Sequence, residues 1–444
     1  MGEMKGIEMN GNFCISTCTP TCEKGIYDNK KLNPSTGGKK KDMDNLVSDR
    51  LIEQINKSND VEFKKEINIE NGLEQVELDR TVQFKNFRPV DFLSSIESNV
   101  SKKLISFKKY EEIKGLAKNF HGNITSFFGF ETRLKNNDAT SDYLFAISSK
   151  KGEREALLSY LESHDFENET EWNNVKNFTQ SWTDPKSILY DKIPGLWLEF
   201  DTSNNSINSY IPNIFLQVKP LRMDTDENIQ TCKCLTNNAL PLIIGRKISK
   251  IEEEKFFDCI KKLPKNASLI HVGTMLSRNN SGLRLVFKKI AVEQIKPYLD
   301  SIGWVDENNE LDSILDELKR YASRIVLHIG IQENEVNKKI GIECSFSTDR
   351  YNEETGWENF LEYLVEKELC LTEKKSALLN FLGVEMENHS YDFNLEEFDR
   401  SVMLPDNNFS SALVRYISHV KISYEPNKPL EAKAYPGVRL FGKL

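Results

Sequence analysis

The sequence predicts an α+β protein in which ten antiparallel strands close into a barrel with helices outside. One observation is a unit of two short strand patterns followed by amphipathic helices, which recurs along the chain. A second is that short polar connections, such as 332–338, join the partners of a pair, as in antiparallel hairpins. So wide a sheet tends to close, because twist accumulates and unpaired edges invite aggregation.

The predicted strands fall into five pairs, at 126–134 with 142–148, 195–201 with 213–219, 268–276 with 283–290, 324–331 with 339–346, and 419–425 with 430–438. Apolar residues at helical spacing follow the first four pairs, at 152–163, 170–182, 251–263, 291–302, 310–322, 356–369 and 373–382. Parallel doubly wound folds alternate single strands with helices instead. No glycine-rich phosphate-binding motif follows any strand, which argues against a nucleotide site.

The N-terminal residues differ from the rest of the chain. Residues 1–85 alternate short charged runs with Asn, Ser, Gly and Lys and show little periodicity, so we expect a largely disordered tail before a single barrel domain at 86–444. Cys14, Cys18 and Cys22 in the tail lack the CxxC spacing of zinc sites. The segment resembles the ring-forming part of lanthipeptides, and the sequence leaves its role open.

Composition narrows the class of protein. The chain has 444 residues, 39% hydrophobic and 29% charged, as in ordinary globular proteins. Its formal net charge of −9 argues against nucleic acid as the main partner. No 18-residue apolar run and no hydrophobic signal core occur, so the sequence favours a cytoplasmic protein without a membrane partner.

Side-chain alternation assigns a polar face to the barrel interior. In 195–201, Glu199 and Asp201 share one face with Trp197, away from the apolar face. The candidate site residues chosen by this alternation are Glu131, Arg133, Glu199, Asp201, Lys219, Arg284, Lys288, His328, Glu343, Lys433 and Tyr435. The alternative is that this face meets bulk water. Aromatic and glycine residues on the same face, Trp197 and Gly273 among them, indicate a shaped interior instead.

Five strand-pair units with helices between them resemble the ABBA aromatic prenyltransferases over roughly residues 88–444. The resemblance implies transfer of an isoprenoid from an allylic diphosphate to an aromatic or peptide acceptor inside the barrel. It gives Glu131 the role of holding or deprotonating the acceptor. It gives the role of binding the diphosphate to Lys219, Arg284, Lys288, Lys433 and Tyr435. A DDxxD motif is missing from the sequence, so the resemblance implies no metal and no cofactor.

The sequence also departs from the family pattern. Leu221 and Ile290 stand where many members have tyrosines after the cationic residues, and only Lys433 with Tyr435 keeps that arrangement. A non-catalytic barrel that binds a peptide or small ligand, as an accessory protein of peptide natural-product biosynthesis, is therefore the alternative. An acyltransferase explains neither the hairpins nor the polar faces. No GxSxG motif supports nucleophilic catalysis.

Overall fold

A computed structural model describes residues 88–122, 124–150, 152–166, 169–202, 211–278, 282–346, 354–386, 389–392 and 411–442. The α-helices are α1 (Pro89–Ile96), α2 (Phe107–Ala117), α3 (Glu153–Ser163), α4 (Thr170–Thr183), α5 (Leu189–Lys192), α6 (Asp226–Cys234), α7 (Leu240–Ile244), α8 (Lys250–Lys261), α9 (Val292–Ser301), α10 (Leu311–Leu318), α11 (Glu354–Glu366) and α12 (Thr372–Leu379). A 3₁₀ turn, Glu97–Asn99, follows α1, and a π-helical turn, Leu235–Ala239, joins α6 to α7.

The strands are β1 (Phe127–Arg133), β2 (Ser141–Ser148), β3 (Gly195–Phe200), β4 (Asn213–Leu221), β5 (Ser268–Thr274), β6 (Leu283–Lys288), β7 (Arg324–Gln332), β8 (Glu335–Val336), β9 (Ile340–Ser345), β10 (Gly383–Met386), β11 (His389–Asp392), β12 (Ser411–Tyr424) and β13 (Glu431–Gly442). Ten of them form a closed ring in the order β1-β2-β3-β4-β5-β6-β7-β9-β12-β13, and β13 pairs with β1. Every neighbouring pair is antiparallel. The predicted α+β barrel is confirmed.

The outer face of the barrel packs beneath the helices. Phe128, Phe130, Tyr143, Phe145 and Phe200 are buried there as one aromatic layer on β1, β2 and β3. Ser106, Thr225 and Ser249 cap α2, α6 and α8, and at α8 Ser249 and Glu252 form a reciprocal capping box. The main apolar core therefore lies between the sheet and the helices, and the opposite face of the ten ring strands points into the barrel.

The inner face holds two smaller apolar clusters. Phe127, Ala146 and Trp197 form one, against which Leu144, Phe215 and Tyr416 pack, and Ile270, Val286 and Val326 form the other. A Cβ atom at Gly273 would overlap the ring of Phe215, so only glycine admits that ring at this point of the wall. The polar interior predicted from alternation is thus combined with an aromatic one.

The structure adds elements that the sequence did not predict. The β10–β11 hairpin pairs with the first part of β12, which begins at Ser411 rather than near residue 419. The predicted tail at 1–85 lies outside the described residues, so the division into tail and barrel domain stays a prediction. Among the helices that the structure describes, none combines the length and apolar character that a membrane span requires.

Candidate functional site

The barrel interior holds a cavity that is open to solvent and offers about 80 Å³ to the centres of water-sized spheres. Its apolar wall includes Phe127, Leu144, Trp197, Phe215 and Val286. Its polar wall is formed by Glu199, His271, His328, Glu343, Ser418, His419, Lys421 and Tyr435. An aromatic surface and a charged surface therefore face the same space.

Glu131 on β1 is the centre of a buried ionic cluster beside this cavity. Its carboxylate accepts hydrogen bonds from the Lys433 ammonium and the Tyr435 hydroxyl, and Lys421 Nζ donates to it at 3.3 Å. Burial alone would raise the pKa of Glu131, but Lys433 and Lys421 outweigh it and hold the pKa well below its usual value. Two ammonium groups on one carboxylate leave one unit of excess positive charge. Glu131 itself lies behind Lys421 and Tyr435 and does not line the cavity.

Glu199 on β3 does line the cavity, next to Trp197 on the same face. Burial raises the pKa of Glu199 to about 8, the nearby charge of Glu131 adds to the shift, and Lys421 opposes it. The carboxyl is therefore largely protonated at neutral pH. In that state the Glu199 carboxyl is a hydrogen-bond donor and carries no negative charge.

Two further carboxylates in the interior are neutralised by arginines. Asp142 accepts a hydrogen bond from Arg133 at 3.0 Å, and burial raises the pKa of Asp142 to about 6. Asp201 accepts two from Arg278, at 2.9 and 2.7 Å, and a third from Ser277 at 2.6 Å. Asp142 and Asp201 thus each have one arginine partner, whereas Glu131 has two lysine partners.

Arg284 differs from the other interior cations. Burial lowers the pKa of Arg284, and the neighbouring charge of Arg278 lowers it further, while Glu199 opposes both. A Cβ atom at Gly330 would overlap the Arg284 guanidinium, so glycine makes room for it. Within the described part of the chain Arg284 forms no salt bridge, which leaves its charge available to an anion.

The predicted diphosphate residues do not form a single group. Lys433 and Tyr435 meet at Glu131, whereas the charged neighbours of Arg284 are Arg278 and Glu199. Lys288 is half-buried at the end of β6. Lys219 is exposed, because β4 shifts register between Gln217 and Leu221, where Pro220 has no N–H for the ladder. Alternation therefore fails at Lys219.

His328 and Glu343 lie together with His419, which was not among the predicted site residues. His328 Nε2 contacts Glu343 Oε1, and His419 Nε2 lies 3.3 Å from the same oxygen. The His419 ring stacks on the Tyr435 ring, with centroids 4.1 Å apart. Because His419 precedes Lys421 by two residues on β12, alternation from Lys421 indicates its position. Arg278 had no such signal, since it follows β5 outside any strand.

The described residues contain no group of three or more His, Cys, Asp or Glu side chains arranged to hold a metal ion. Five cysteines in this part of the chain, Cys232, Cys234, Cys259, Cys344 and Cys370, are buried free thiols. Cys14, Cys18 and Cys22 lie outside the described residues.

No protein-family model and no curated protein sequence matches the chain. Among solved structures it is similar to the prenyltransferase PriB in its apo form, with 9% identity and a TM-score of 0.45 over 77% of this chain and 95% of that one. It is similar to 5-dimethylallyltryptophan synthase from Streptomyces coelicolor, with 10% identity and a TM-score of 0.45 over 77% and 96%. AnaPT from Neosartorya fischeri gives 10% identity and a TM-score of 0.49 over 77% and 91%. The strand pairing of the chain itself closes the ten-stranded barrel that the predicted resemblance implied.

Proposed function

We propose that the barrel transfers an isoprenoid from an allylic diphosphate to an aromatic ring, carried by a small molecule or by a peptide side chain. One observation carries the proposal: the aromatic wall at Phe127, Trp197 and Phe215 shares a cavity with Lys421 and Tyr435, which belong to the cation-rich cluster at Glu131. Allylic transfer needs both surfaces, because its transition state separates a carbocation from a diphosphate anion.

The aromatic surface and the cationic surface stabilise different parts of the transition state. The bond between the allylic carbon and the diphosphate oxygen breaks, and the diphosphate leaves with the electron pair. Aromatic faces stabilise the cation through their quadrupoles, and the excess positive charge at Lys421 and Lys433 stabilises the anion in a site of low dielectric. The acceptor ring then forms the new carbon–carbon bond and releases a proton.

Arg284 is the second cation in this proposal. It is half-buried, has no salt bridge among the described residues and lies near Glu199, which is largely protonated at neutral pH. A guanidinium in this state gives two hydrogen bonds to a phosphate group without first breaking an ion pair. Glu131, the predicted acceptor residue, has to exchange one of its present contacts before it holds an acceptor N–H.

Ligand binding without turnover is the second candidate function. The pairing of Lys433 with Glu131 favours it, because a neutralised lysine contributes less to diphosphate binding than the sequence analysis expected. In this reading the cavity binds a small molecule or peptide with an aromatic group, and the ionic cluster stabilises the barrel.

Mass spectrometry of the products separates the two functions. The purified chain is incubated with dimethylallyl or geranyl diphosphate and either L-tryptophan, L-tyrosine or a peptide containing both. We expect an acceptor whose mass increases by one isoprenoid unit, with release of diphosphate. Binding of the donor without product from any acceptor favours the non-catalytic function.

A further inference from the structure

Three neighbouring strands bring a histidine–carboxylate cluster to the cavity wall: His328 on β7, Glu343 on β9 and His419 on β12. Glu343 Oε1 contacts Nε2 of both rings. The family resemblance assigns this cluster no role. Its residues are separated widely in sequence, and the closure of the barrel brings them together.

Both imidazole rings make close contacts with Glu343. Its Oε1 atom faces Nε2 of each ring, but neither contact has the geometry of a hydrogen bond. The His419 Nδ1 atom is 3.0 Å from the Ser418 hydroxyl, and burial lowers the pKa of His419 to about 4, which keeps that ring neutral.

Exposure separates the three side chains. His328 is 18% exposed, whereas Glu343 is 3% and His419 is 5% exposed. All three residues line the cavity, and His328 is the most exposed of them and contacts Glu343. A carboxylate in contact with a histidine stabilises the imidazolium that forms when the ring takes up a proton.

The other carboxylates beside the cavity are less suited to take up a proton. Glu131 does not line the cavity, and a carboxylate whose pKa is held well below its usual value is a weak base. Glu199 lines the cavity, but its raised pKa of about 8 means that it already carries a proton at neutral pH.

We propose that His328 is the proton acceptor of the transfer reaction and that Glu343 and His419 are positioning residues that orient it. The inference rests on the proposed function. Once the ring carbon has bonded to the isoprenoid, the C–H electrons return to the aromatic system, and the proton passes to the His328 imidazole. The charged product of that step, an imidazolium, is then stabilised by Glu343.

Chemical rescue tests this assignment. His328→Ala should lower the transfer rate from dimethylallyl diphosphate to L-tryptophan by about 100-fold, the smaller end of general-base effects. Added imidazole should recover at least tenfold of the loss by occupying the space of the missing ring. Glu343→Gln should also slow transfer, and combining it with His328→Ala should cause little further loss, because Glu343 acts through His328. His121→Ala, on an exposed histidine, is the matched control and should be insensitive to imidazole.

If His328→Ala does not fold, the transfer rates of His328→Asn with ordinary and with ring-deuterated L-tryptophan are compared instead. We expect a primary isotope effect on transfer in this variant, since deprotonation becomes rate-limiting. A wild-type rate in the His328 variants, or a loss that neither responds to imidazole nor shows an isotope effect, overturns the assignment. Absence of any product from the wild-type protein overturns the proposed function as well.

Discussion

Lys433 and Glu131 lie on the adjacent strands β13 and β1, 302 residues apart in sequence, and form a buried ion pair across the seam that closes the barrel. Lys421 and Tyr435 complete the hydrogen bonding of the same carboxylate. Removing two charges from water is costly, so the pair is retained only with such a complete set of partners. The polar wall of the cavity and the ionic cluster at Glu131 therefore share two residues, Lys421 and Tyr435.

Loss of one partner should destabilise the protein. Lys433→Met leaves Glu131 with less compensation and should lower the free energy of unfolding by about 3 kcal/mol, as for other broken buried pairs. Glu131→Gln combined with Lys433→Met should recover part of this loss, which urea unfolding measures as a coupling energy. Lys428→Met, on an exposed lysine, is the control. Strictly additive losses would show that the pair contributes no coupling.

The raised pKa of Glu199 predicts a pH dependence of stability. Between its usual value near 4.5 and about 8, the folded state holds more protons than the unfolded state at this site. Stability from this group therefore falls as pH rises through that window, by at most about 1.4 kcal/mol per pH unit. Glu199→Gln should remove this contribution, so the variant gains stability relative to the wild type as the pH rises from 5 to 8. If the Tm values of the wild type and of Glu199→Gln change equally with pH between 5 and 8, the prediction is wrong.

The fit between Gly273 and Phe215 predicts a compensating pair of substitutions. Gly273→Ala places a Cβ atom inside the space of the Phe215 ring and should cost roughly 1–3 kcal/mol through overpacking. Phe215→Leu removes the ring and should therefore reduce the destabilisation that Gly273→Ala causes. The free energies of unfolding of both single variants and the double variant measure the coupling. If Gly273→Ala lowers the free energy of unfolding equally with Phe215 present and with Phe215→Leu, the Phe215 ring does not occupy the space beside Gly273.

Much of the barrel was predictable because strand alternation is a local property. Alternation in β3 assigns Glu199 to the face of Trp197, and both residues line the cavity, whereas Asp201 follows the end of the strand and pairs with Arg278. It failed at Lys219, where Pro220 accompanies a change of register that alternation does not anticipate. The pairing of Glu131 with Lys433 had no sequence signal, because it depends on how far the strands are staggered when the sheet closes.

Strand alternation also does not predict which interior acids and bases pair with one another. Sequence placed acids and bases on one face without showing which would neutralise which. Asp201 pairs with Arg278, a residue beyond the end of β5, and this leaves Arg284 without a salt bridge among the described residues. That outcome depends on a turn conformation, which alternation does not describe.

Binding of an allylic diphosphate by the interior cations should stabilise the folded protein, which a thermal-shift measurement detects. Dimethylallyl thiolodiphosphate, which resists transfer, should at 100 times its Kd stabilise the native state by about 2.7 kcal/mol and raise the Tm by roughly 4 °C. Arg284→Ala should lose most of this shift without unfolding, whereas Arg320→Ala, on an exposed arginine, should keep it. A wild-type protein whose Tm is unmoved by the dimethylallyl and geranyl analogues, from low salt to physiological salt, would contradict the account.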